Sequence, residues 1–375
     1  MLNLKKKKSR CKILFIAPGV DSGGAENILF NIVKTNNSKD VFIISLTNLG
    51  YYGEKLKKEG YKLYSLNMKK NIFIFFKVFK LLFIIIRLNP KIVHTWLYHS
   101  NLIGGILAWF LGIKKIYWSI HHDFEYSDFS RMIEMKILVL MSYFVPNKII
   151  YCSEASKNNH IKNGYNKKHS QIIFNGVSTK DYKPNKPFRN EIRNNLNIGD
   201  DCFLIGNISR YHPLKDHDNL LKALFILDNY DINFKCILVG KGLSNENLDL
   251  LDKINSYKLK DKIILYGKSF KISKIINAFD LNILSSKKES SPLVLLEAMA
   301  SGVPCISTDV GDARKIVSDT GWIVESSNHR ALANCIIKIF DDKSIIKNKS
   351  SIAIQRVKDL YSIEKMKLNY KKIYE

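Results

Sequence analysis

Twice along this chain, short runs of β-branched and aromatic residues alternate with segments whose apolar residues recur every three or four positions. In the first half, Lys12 to Ala17 reads as a strand, followed by the loop "PGVDSGGAE" and a helical pattern from Ala25 to about Val33. Further strand-like runs are "VFIISL", "KIVHTW" and "IYWSIHH", separated by helical stretches. The second half repeats the plan: "FLIGNIS", the loop "RYHPLKDH", the helical "DNLLKALFIL", then "FKCILVG", "KIILYG", "LNILSS" and "PCIST". Strands that are apolar on both faces and separated by helices predict parallel sheets covered on both sides.

The expected fold class is therefore α/β, with two Rossmann-like domains facing each other across a cleft. At 375 residues the chain is long enough for both. The polar stretch "NGVSTKDYKPNKPFRN", with its two prolines, reads as the linker. We place an N-terminal domain at 1–184 and a C-terminal domain at 185–375, with the basic C-terminal helix expected to pack back on the first domain. Ligands of such sheets bind at the carboxyl ends of the strands.

Six cysteines are scattered without metal-ligand spacing, which predicts buried thiols in a reducing compartment and no metal site. The net charge of +25 is uneven: up to Pro184 there are 29 Lys and Arg against 11 Asp and Glu, and 30 against 23 thereafter. An anionic membrane surface or nucleic acid would each suit the basic first half, as would simple compositional drift. The N-terminal "MLNLKKKKSRCKILFIAPG" imitates a secretion signal, but its apolar run is too short and passes straight into a glycine loop. A cytoplasmic protein is expected. Ile72 to Leu88 is long enough to span a bilayer, but Lys77, Lys80 and Arg87 gather on one helical face. That stretch reads as an amphipathic helix that is part core and part membrane-surface anchor.

The densest chemistry lies in "ESSPLVLLEAMASGVPCIST", where Glu289 and Glu297 flank the start of an apolar helix. Ser291 is the expected N-cap, Pro292 the first helical residue, and Gly302 the left-handed stop. The leading N–H groups of Leu293 and Val294 then form a phosphate site, and Glu297 offers two acceptor oxygens to a diol such as a ribose. In the same half, "SRYHPLKDH" puts Arg210 and Lys215 in a loop after a strand. Cations so placed can neutralise a pyrophosphate. Together the two elements favour a sugar-nucleotide site.

These segments resemble the GT-B fold glycosyltransferases, group 1 (family 4), over nearly the whole chain. The matching pieces are "GGAE" from Gly23, "VHTWLYHSN" from Val93, "NGV" from Asn175, "SRYHPLKDH" from Ser209, "VGKG" from Val239, and the E-x7-E element from Glu289. The resemblance implies that Arg210 and Lys215 hold the donor diphosphate, that Glu289 contacts the transferring sugar, and that Glu297 contacts the ribose. It implies that Gly23 and Gly24 let a loop approach the donor, and that His121 or His122, with His121 preferred, lies near the anomeric carbon. His94, His99 and His122 are the acceptor-side candidates, with a structural role as the equal alternative for His94 and His99. Trp96 stands where many relatives have a histidine, and Lys315 where many have an acid.

The implied activity is retaining transfer from a nucleotide sugar, a UDP-sugar first, to a glycan or lipid-linked acceptor. Its setting would be bacterial capsule or lipopolysaccharide synthesis, without a cofactor or divalent metal. The rival readings are a nucleotide-sugar epimerase of the same architecture and a basic nucleic-acid-binding protein. The second lacks a recognition motif, so no nucleic-acid partner is expected.

Overall fold

Among the described residues, thirteen strands build two parallel sheets. The computed structural model describes residues 11–68, 74–124, 129–230, 232–342 and 344–375. The basic patch at 1–10 and the start of the Ile72–Leu88 stretch lie outside the described residues. In the first sheet β1 (Ile13–Ala17), β2 (Val41–Ser45), β3 (Lys62–Ser65), β4 (Ile92–Trp96), β5 (Lys115–Ile120), β6 (Lys148–Tyr151) and β7 (Ser170–Ile172) stand in the order β3-β2-β1-β4-β5-β6-β7. The second sheet contains β8 (Phe203–Ile208), β9 (Phe234–Val239), β10 (Ile263–Gly267), β11 (Leu281–Leu284), β12 (Cys305–Thr308) and β13 (Trp322–Val324). Their order is β10-β9-β8-β11-β12-β13. β1, β8, β11 and β12 are buried along all or nearly all their length, as strands covered on both faces must be. Strand order reverses between β1 and β4 and between β8 and β11. Loops leaving adjacent strands in opposite directions open a crevice at such a point.

Two Rossmann-like units result. One comprises the chain up to Asn175 together with Met366–Glu375, and the other Gly176–Lys365. The division expected at 184/185 lies nine residues earlier, at 175/176, because "GVSTKDYKP" joins the second unit: Asn185 N–H donates to Asn277 Oδ1 at 2.7 Å, and Val177 N–H to Tyr361 O at 2.9 Å. All six cysteines are free thiols, five of them buried.

The helix Ile363–Tyr374 ends in the core of the first unit. Its Tyr374 hydroxyl bonds His94 Nδ1 at 2.7 Å, and the Tyr117 hydroxyl donates to Ile373 O at 3.2 Å. Tyr374→Phe leaves His94 Nδ1 unpaired in the core and is expected to lower stability by about 1–3 kcal/mol. The midpoint of urea unfolding reads that change, and an unmoved midpoint would show that the bond contributes nothing.

Candidate functional site

The loop after β8 and the loop after β11 meet at the reversal of the second sheet. The first loop, Ser209–Asp216, is tied to the loop after β9: Ser209 N–H donates to Val239 O at 3.0 Å and Tyr211 N–H to Lys241 O at 2.8 Å. Gly240 permits this approach, with φ at +152° and a position where a Cβ would lie 1.7 Å from the Ser209 carbonyl oxygen. Asp216 closes the loop in the left-handed region, φ 50° and ψ 51°, and its carboxylate accepts from Ser327 Oγ at 3.0 Å. His217 beside it is buried and bonded to Ser209 Oγ at 3.0 Å. Burial, and secondly the Lys215 charge, hold its pKa down at about 4, so the ring is neutral near pH 7.

From this frame Lys215 Nζ reaches Glu289 Oε1 at 2.5 Å. Ser286 Oγ donates to the same carboxylate oxygen at 2.7 Å. Backbone bonds fix the two loops on each other: Ser285 Oγ donates to Lys215 O at 2.9 Å and Lys287 N–H to Leu214 O at 2.8 Å. The backbone of Glu289 and Ser290 rests on the loop after β12. There Asp312 N–H donates to Ser290 O at 3.0 Å, and Gly311, φ +53°, stands where a Cβ would meet the two carbonyl oxygens at 2.4 and 2.5 Å. Arg210, in contrast, is exposed, and its side chain makes no hydrogen bond or ion pair among the described residues.

The helix beyond Glu289 runs Leu293–Ala300, one residue later than expected. Pro292 itself is the N-cap, with extended ψ of 106°, and Ser291 makes no capping bond. Proline's fixed φ suits either position, so the pattern alone did not separate them. The consequence favours the site: Leu293 and Val294 become the first two helical residues, whose N–H groups have no intrahelical acceptor. Glu297 follows in the second turn, partly buried, its pKa pushed up to about 7 by burial while a hydrogen bond from Tyr182 works in the other direction.

In the first unit, Gly23 caps the helix Gly24–Val33, and both glycines are exposed. The Glu26 carboxylate folds over Gly23, so a Cβ there would lie 2.2 Å from Glu26 Oε2. His121 follows β5 and stacks on Trp96, ring centroids 4.2 Å apart. Its ring nitrogens are buried, and neither has a hydrogen-bond partner among the described residues. Burial, and then the neighbouring His122 and His94, lower its pKa to about 3, so it is neutral. His122 is exposed, and its carbonyl accepts from Ser156 Oγ at 2.8 Å.

His99 is also exposed, with Nδ1 3.9 Å from Glu134 Oε1. His94 is not an acceptor-side residue. It is fully buried within β4, and its ring nitrogens are taken by Tyr374 and Ser119, each at 2.7 Å. Not singled out from sequence were Ser286, Asp216, Gly311 and Tyr182. Only Ser286, three residues before Glu289 at a strand end, carried a local signal. Among the described residues no group of three or more His, Cys, Asp or Glu side chains could hold a metal ion.

Comparison with known proteins gives the family and the fold. Residues 188–357 match the family model described as "Glycosyl transferases group 1", and residues 22–181 that described as "Glycosyltransferase Family 4". The N-acetyl-alpha-D-glucosaminyl L-malate synthase of Bacillus anthracis is 28% identical over 206 residues, 54% of this chain and 53% of that protein. The chain thus spans about half the length of that relative. The capsular polysaccharide biosynthesis glycosyltransferase CapM of Staphylococcus aureus is 24% identical over 86% of both chains. Among solved structures, Anabaena HepE in complex with UDP-glucose superposes with a TM-score of 0.86 at 20% identity, over 96% of this chain and 98% of that one. That likeness gives the fold, GT-B. With the two family models covering both halves, the chain belongs to the group 1, family 4 glycosyltransferases.

Proposed function

We propose that the protein transfers a sugar from a UDP-sugar to a glycan or lipid-linked acceptor with retention of anomeric configuration, in bacterial cell-surface polysaccharide synthesis. The observation that carries this reading is the Lys215–Glu289 pair, 2.5 Å apart and set directly before a helix N-terminus at the strand-order reversal. Lys215, the uncommitted Arg210 and the N–H groups of Leu293 and Val294 are the groups suited to a diphosphate. Glu297 is suited to the ribose hydroxyls. The polysaccharide setting is supported by CapM, and the choice of uridine nucleotide by the HepE complex.

In the proposed reaction the bond from C1 to the β-phosphate oxygen breaks as the acceptor oxygen bonds C1. The acceptor's proton leaves with the β-phosphate oxygen on the same face. Negative charge grows on the diphosphate, where two cations and the helix dipole are aimed. Glu289 fits a sugar-orienting role better than a nucleophilic one, since Oε1 already carries Lys215 and Ser286. The neutral imidazole of His121 can exchange a hydrogen bond with a sugar hydroxyl without introducing charge.

The test is a panel of nucleotide sugars assayed for nucleotide release and for transfer to lipid-linked saccharides. A UDP-sugar is expected to be turned over, at a rate unchanged by EDTA because the cations supply the charge neutralisation. Strict dependence on a divalent ion would contradict that charge balance, and interconversion of the donor sugar without acceptor would mark an epimerase.

A further inference from the structure

Three helices of the first unit turn large apolar side chains to solvent on one side of the sheet. Ile74–Leu88, Ile106–Phe110 and Phe129–Met141 contribute Leu81, Ile85, Ala108, Met135 and Leu138 to a single core cluster with the strands, so they cover the same sheet face. Their opposite faces point away from it. On the first helix these are Phe76, Phe79 and Phe83, the last two 59% and 66% exposed. On the second they are Trp109 and Phe110, the latter 73% exposed. The third presents Phe129, Ile133, Ile137 and Leu140, spaced at i, i+4, i+8 and i+11. Apart from Leu368, every large exposed apolar side chain of this unit among the described residues lies on these helices or within three residues of the third. Clustering of this kind on one side marks an interaction surface.

The charges say what covers it. Lys80 and Arg87 flank the phenylalanines around a shallow depression of about 390 Å³, and Lys136 sits on the outward face of the third helix. Lys77 lies half-buried to the side. The three helices contain one acid, Glu134, which is mostly buried and paired with Arg131 at 2.6 Å. A second copy of the chain would set like charges against each other across this face. An anionic bilayer accepts both components, aromatic rings at the headgroup boundary and cations at the phosphates. No helix among the described residues is long and apolar enough to cross a membrane, so the contact is with the surface.

We propose that this three-helix face docks the protein on an anionic lipid bilayer, with Phe79, Phe83 and their neighbours inserted at the headgroup level. The proposal stands apart from the donor-site reading, because the proposed donor site includes none of these residues.

The test is flotation of the full-length protein with vesicles of phosphatidylcholine containing one-third phosphatidylglycerol, and with phosphatidylcholine alone. Wild type is expected to float with the anionic vesicles and to be released as salt rises to about 0.5 M. Phe79→Ser with Phe83→Ser is expected to lower the partition coefficient at least about tenfold by withdrawing two aromatic rings from the interface. Lys80→Glu with Lys136→Glu should lower it comparably on anionic vesicles alone. Circular dichroism and UDP binding confirm that each variant is folded. Three results would overturn the proposal: no flotation at low salt, flotation undiminished in the phenylalanine variant (general adsorption of a +25 chain), or a wild-type dimer that the phenylalanine variant dissolves.

Discussion

Lys215→Ala is expected to reduce kcat by roughly 100-fold or more while changing KM far less, because the charge it meets grows only as the sugar–phosphate bond breaks. Two effects combine in this variant. The diphosphate loses a cation, and Glu289 loses the partner held at 2.5 Å, leaving a carboxylate aimed at the same anion. Arg210→Ala should lower kcat too, without the second effect, since Arg210 is uncommitted in the free protein. The pair of variants therefore separates charge from positioning. Lys215→Ala with Glu289→Gln removes the stranded carboxylate and should be less than additive with respect to the single changes. Steady-state kinetics on the preferred donor measures all of these, and near-wild-type turnover in both single variants would remove the cations from the mechanism.

Glu297→Gln should weaken donor binding by about 1.5–3 kcal/mol, the loss of a charged acceptor at a diol, and at the same time stabilise the free protein above neutral pH. The second effect follows from the raised pKa. In the folded chain the carboxyl titrates near 7, against an ordinary value of 4.5. The native state therefore holds a proton that the unfolded state has lost between those values, and stability falls as pH rises from about 4.5 to about 7. Glutamine does not titrate, so the variant should show the higher Tm at pH 8, with the gap closing toward pH 4.5. Donor affinity of the wild type should fall as pH drops below about 7, when the carboxyl protonates, whereas that of the variant should not. Calorimetry across pH checks both halves. Equal donor affinity in the two proteins would show that Glu297 does not meet the ribose.

The elements of this site were legible because each is local. Parallel strands buried on both faces read as unbroken apolar runs, so "FLIGNI" and "LNIL" announce themselves, and the polar groups at their carboxyl ends stand out by contrast. The ion pair between Lys215 and Glu289 was not legible, since 74 residues separate them and only the sheet order brings their loops together. His94 shows the same limit more sharply: its partner Tyr374 lies 280 residues away, and a histidine in a strand looks identical whether it serves the core or a substrate.

The helix Ile74–Leu88 was legible as an element that is part core and part surface, but not in which residues serve which. Apolar residues occupy both of its faces, so periodicity cannot say which side is buried; Leu81 and Ile85 turn to the core and Phe79 and Phe83 turn outward.

The most direct measurement of the central claim is a crystal structure of the protein soaked with UDP. The account predicts the diphosphate within hydrogen-bond distance of Arg210, Lys215 and the N–H groups of Leu293 and Val294, with the ribose hydroxyls on Glu297. A nucleotide bound elsewhere, or a diphosphate that leaves Lys215 paired only with Glu289, would contradict it.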